Sequence, residues 1–137
     1  RQVMTFVLAL LIIMPACAMT GCSGSKEPVN KTSVDYTVVE NADLPEELKK
    51  LIESKKDKVM RLTYTTKDYT YVVAGYGTRE TSGYSIKVND VYTGDNALYI
   101  DLNLIGPAAG EAVNEVETYP VIVLKMERRE ESVVFKM

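Results

Sequence analysis

The chemistry-bearing side chains gather in the second half of the chain. Asp90, Asp95, Asp101, Glu111, Glu115 and Glu117 are candidate acids, and Ser82 stands before Gly83 in a polar turn. The acids lack metal-loop spacing: Asp90 to Asp95 does not carry the alternating oxygen ligands of a calcium loop. The chain has no His, so Ser-His and Cys-His nucleophile schemes and His-ligated zinc are all closed to it. Without His, and with no Lys at a motif spacing, Ser82 has no activating base. No Gly-rich loop opens a helix to cradle a phosphate, and no Gly-x-Ser-x-Gly elbow occurs. These residues predict no metal, no cofactor and no enzyme. What remains is recognition. Turn 77–84, loop 105–118 and the Thr118-Tyr119-Pro120 corner concentrate Gly, Pro and Tyr. Thr81, Ser82, Gly83, Tyr84, Tyr119 and Pro120 are the candidate partner-binding residues, with Tyr76 as a further source of contact area.

The elements that must hold those loops are legible from periodicity. Val34–Glu40 reads as a first strand with Val34, Tyr36 and Val38 on one face. A helix follows over about 45–56: Asp43 is suited to cap it, Pro45 fits its first turn, and Leu44, Leu48, Leu51 and Ile52 make an apolar stripe for packing on a sheet. From residue 58 the period becomes two. Met60, Leu62 and Tyr64 share a face, Thr66-Lys67-Asp68 turns, and Tyr69–Tyr76 returns. Tyr84, Ile86 and Val88 alternate with polar residues. Thr93-Gly94-Asp95-Asn96 is a hairpin turn, and Leu98, Ile100, Leu102 and Leu104 give the clearest half-buried strand. Residues 119–126 are apolar on both sides, as a central strand requires, with Pro120 at its start. Glu127–Glu131 reads as a charged hairpin tip before a last strand bearing Val133, Phe135 and Met137. The prediction is a mainly β fold, either a β-sandwich or a strongly bent antiparallel sheet, with one amphipathic α-helix near its N-terminal side.

The N-terminal stretch concerns delivery. Val3–Met19 is almost wholly apolar, and Met19-Thr20-Gly21-Cys22 then places small residues before a thiol, in the manner of a bacterial lipoprotein signal. Small side chains admit a signal peptidase, and the Cys22 thiol carries the lipid; Cys17 is the competing acceptor, and an uncleaved membrane helix or plain secretory signal is the other reading. Cleavage before Cys22 leaves one thiol and no intramolecular disulfide. The expected organisation is a signal segment over 1–21, a flexible polar tether over 22–33 and one β domain over 34–137, lipid-anchored at the outer face of a cell membrane. The formal charge of −3 becomes −4 once Arg1 is removed with the signal, which argues against nucleic-acid binding.

Two spaced motifs resemble a known family. Thr81-Ser82-Gly83-Tyr84-Ser85-Ile86 after a Tyr/Val strand, then Thr118-Tyr119-Pro120-Val121-Ile122-Val123-Leu124-Lys125, are similar over about 70–127 to the C-terminal domain of the protease-complex subunit PrcB family. Glu80 and Ser82 depart from that pattern, which has Pro and Gly there. The resemblance implies a small, non-catalytic envelope lipoprotein that assembles with or stabilises a surface protease. A weaker likeness, in loop order only, is to the chagasin-like cysteine-protease inhibitors of immunoglobulin-like fold. Direct protease inhibition is therefore an alternative, and a structural or ligand-binding envelope lipoprotein is another; the last predicts an apolar pocket between sheet and helix.

Overall fold

In the computed structural model, which describes residues 30–137, alternation becomes two four-stranded sheets packed face to face. The strands are β1 (Thr32–Ser33), β2 (Thr37–Val38), β3 (Val59–Thr65), β4 (Tyr69–Tyr76), β5 (Ser85–Gly94), β6 (Ala97–Ile105), β7 (Val121–Glu127) and β8 (Ser132–Lys136). One sheet has the order β1-β5-β6-β8 and the other β2-β7-β4-β3. The α-helix α1 (Glu46–Lys55) lies on the outer face of the second sheet, so the sheet containing β4 and β7 is covered on both sides.

That three-layer arrangement explains the apolar runs. On β4, Val72 and Ala74 face the other sheet, where Val91, Leu98, Ile100 and Leu102 meet them. Tyr71 and Val73 face the opposite way, onto Leu44, Leu48 and Ile52. β7 repeats the pattern, with Leu124 and Met126 in the first cluster and Val123 in the second. Each such Val, Leu or Ile contributes roughly 1.5–3 kcal/mol relative to exposure, and a one-residue slip would exchange the two layers. The β5–β6 turn has Asp95 and Asn96 at φ 50° and 64°, the pair of left-handed residues of a type I′ hairpin.

Four local expectations are corrected. Residues 34–40 do not make one strand: Thr32 and Ser33 pair with β5, Thr37 and Val38 pair with β7, and the chain between them changes sheets. Asp43 does not cap α1; Asn41–Asp43 form a short 3-10 turn and Pro45 occupies the cap position with no side-chain hydrogen bond. Glu46 and Glu47 still sit at the positive end of the helix dipole. Residues 128–131 are not a hairpin tip. They carry the chain from β7 to the other sheet, where β8 pairs parallel with β6, so the sheets are not all antiparallel hairpins.

Thr70 anchors that crossover. It is buried, its Oγ1 accepts a hydrogen bond from Arg129 N at 3.0 Å, and it lies 3.5 Å from Arg129 O. Thr70→Val keeps the shape and strands the Arg129 N–H. The expected loss is about 1–3 kcal/mol in urea unfolding; an unchanged midpoint would show that the crossover holds itself.

Candidate functional site

The loops leaving β4 and β6 must both cross from one sheet to the other at the same end of the sandwich, and they meet there. Backbone pairing starts the clasp: Arg79 N donates to Thr118 O at 2.8 Å and Thr118 N donates to Arg79 O at 2.9 Å. Ser82 N donates to Asn114 O at 3.0 Å, and Ser82 Oγ accepts from Asn114 N at 2.9 Å. Thr118 Oγ1 donates to Thr81 O at 2.7 Å.

Glycine permits the close approach. Gly83 has φ +93°, and a Cβ there would stand 3.0 Å from Pro107 Cβ and 3.2 Å from Val113 Cγ1. A Cβ on Gly106 would stand 3.3 Å from Tyr84 Cε1, so the tyrosine ring lies against bare backbone. The Arg79 guanidinium lies over the other partner of this contact, with Cζ 5.6 Å from the Tyr84 ring centre, and its Nη2 donates to Tyr76 O at 3.1 Å. Glu111 closes the far loop on itself: Oε2 accepts from Ala108 N at 2.8 Å.

The structure thus brings Thr81, Ser82, Gly83 and Tyr84 onto one surface with residues 106–118. Gly83 is exposed, and Thr81, Ser82 and Tyr84 are half-buried. Tyr119 and Pro120 adjoin it but turn elsewhere. The Tyr119 hydroxyl donates to Glu117 Oε2 at 3.2 Å, its ring carries Lys56 Nζ at 4.7 Å, and Pro120 O accepts from Tyr76 N. The Glu53 carboxylate, 2.7 Å from Lys56 Nζ, holds that ammonium above its ordinary pKa. Asn114, Pro107 and Val113 complete the clasp and were not singled out from sequence. A side chain meeting backbone 32 residues away leaves no spacing to read.

Tyr76 is half-buried, with its hydroxyl turned inward. Its hydroxyl is buried with no hydrogen-bond partner among the described residues, and burial raises its pKa above the usual 10. A raised value means full stability below pH 10, lost as pH rises from the unfolded value through the folded one. Tyr76→Phe is expected to raise stability by about 1 kcal/mol at neutral pH and to lessen the alkaline loss. Paired melting curves at pH 7 and above pH 10 check both; a destabilised variant would reveal a partner for the hydroxyl.

Between α1 and the β2–β7 edge lies a half-open cleft of about 390 Å³, with Val39, Leu44, Ile52, Tyr119, Val121 and Val123 among its walls and Glu53 and Lys56 at its rim. Among the described residues no three His, Cys, Asp or Glu side chains converge to hold a metal ion, and no helix is long and apolar enough to cross a membrane. The signal, Cys22 and most of the tether lie outside the described residues.

Residues 70–127 match the family model described as PrcB C-terminal. No curated protein and no solved structure matches the chain. The matched stretch runs from β4 to β7 and contains both clasped loops whole, while α1, β1–β3 and β8 lie outside it.

Proposed function

Because residues 70–127 carry the PrcB C-terminal domain, we propose that this chain is a non-catalytic lipoprotein subunit that assembles with an envelope protease through its clasped loops. The clasp is the observation that carries the reading. A surface knit by backbone and side-chain hydrogen bonds is ordered before it meets a partner, which spares the entropy of ordering loops on binding.

The polarity of the fold supports a tethered role. Thr32 pairs with Thr93, so the chain reaches the sandwich at the β5–β6 hairpin end. The loops precede Ser85 at the other end of the ten-residue β5, about 30 Å away at 3.3–3.4 Å per residue. A lipid on Cys22, followed by a tether that ends at β1, would present the loops away from the bilayer. Cys22→Ser tests the anchor: the full chain should take up labelled fatty acid and the variant should not, and equal labelling of both, or of neither, would contradict lipid tethering through Cys22.

The experiment on the partner is crosslinking in intact cells, followed by purification of the full chain. A stoichiometric protease-containing complex is expected, and recovery of the chain alone would reject the reading. The cleft beside α1 has a volume in the range of small-molecule sites, which is the observation behind a ligand-binding reading. Its open side and ion-paired rim speak for a shallower, protein-facing use. Binding of a fluorescent apolar probe that Leu44→Trp abolishes would revive the ligand reading.

A further inference from the structure

The short N-terminal strands close the edges of both sheets at one end only. In the first sheet β1 pairs with Thr93 and Tyr92, Val34 N donates to Val91 O, and Lys31 Nζ reaches Asp90 at 2.6 Å. No described residue pairs with the rest of that edge, Ser85–Asn89. In the second sheet β2 pairs with Lys125 and Leu124, and Val39 N donates to Val123 O. Among the described residues, Val121 and Ile122 beyond them are in strand pairing with β4 alone. Because residues 34–36 link β1 directly to β2, the two open edges lie on the same side of the sandwich. Both begin where the clasped loops end.

The opening has the character of a binding slot. Ile86, Val88 and Ile122 pack on the core but remain half-buried, and among the described residues no strand pairs along their outer side. Along an edge strand alternate residues turn N–H and C=O outward, ready for an added strand. The two loops that border the slot are acidic: Glu80, Glu111, Glu115 and Glu117 are exposed on them against half-buried Arg79, while exposed Lys87 stands on the edge strand itself.

We propose that an extended segment of the protease-complex partner, alternating apolar and basic residues, adds as a strand to the Ser85–Asn89 edge of β5. Its apolar side chains cover Ile86, Val88 and Ile122, and its Lys or Arg residues meet the loop carboxylates. Main-chain hydrogen bonds supply affinity in such strand addition, and alternate side chains supply selectivity. This inference rests on the reading of the chain as a complex subunit.

The test places a photo-crosslinking benzoylphenylalanine at exposed Lys87 of the full chain in its own envelope, and separately at exposed Glu80. Both positions should capture the same partner. The Lys87 product should map to one short Lys- or Arg-containing segment, and Val88→Lys, which points a charge into the slot, should cut its yield at least tenfold. Capture from Glu80 but not Lys87 would overturn strand addition and leave the complex standing. Capture from neither would overturn both. Lys87 products joined to a second copy, or to residues before Asn30 of the same chain, would show that the edge is closed by the protein itself and overturn the inference. The crosslink maps decide these cases even if Val88→Lys folds poorly.

Discussion

Leu98→Ala is expected to lower the unfolding free energy by about 2–5 kcal/mol, the range for deleting a fully enclosed Leu side chain. Leu98 is 0% exposed. It pairs with Thr93 of β5 on one side and Val133 of β8 on the other, and it faces β4 and β7 across the sandwich. The site has little room to collapse, because its neighbours on two sides are held in strand register and those opposite sit in a sheet braced from behind by α1. The urea midpoint should fall with no change in slope. A loss under 1 kcal/mol would mean that the sheets do not pack through this position. Leu104→Ala, at the half-buried end of the same strand, should cost clearly less.

Gly83→Val should weaken partner association at least tenfold, about 1.4 kcal/mol, while leaving the sandwich folded. A β-branched residue resists φ +93°, and its Cβ meets Pro107 at 3.0 Å. The strain has an outlet: loops 77–84 and 106–118 can separate, which breaks the Ser82–Asn114 and Thr81–Thr118 bonds without touching the core. The measurement is the crosslinked yield of complex beside a melting curve of the variant. Full association with the loops parted would show that the clasp is not the contact surface.

The two layers of the core were legible because burial writes itself into alternation. Leu98, Ile100 and Leu102 interleaved with polar residues announce a one-sided strand, and the unbroken apolar run at Val121–Leu124 announces a strand covered twice. The stripe Leu44, Leu48, Ile52 announces the cover. Sheet membership was not legible, since Val34–Glu40 alternates the same way whether it stays in one sheet or changes sheets at Asp35-Tyr36. The same ambiguity hid the β7–β8 crossover. A charged run such as Arg128-Arg129-Glu130-Glu131 suits a solvated connection of either kind, and the free edge of β6 that receives β8 is a tertiary fact. Within the loops, Gly83 and Tyr84 could be found because Gly and Tyr at a turn have few uses. Asn114 could not, because its role is carried by its main chain.

In the proposed function the clasped loops hold a protease-containing assembly together without doing chemistry. Native mass spectrometry of the mildly extracted full chain tests it most directly. One heteromeric species containing this chain and a protease is expected, dissociated when Gly83→Val replaces the wild type. A spectrum of free chain alone, from both proteins, would contradict it.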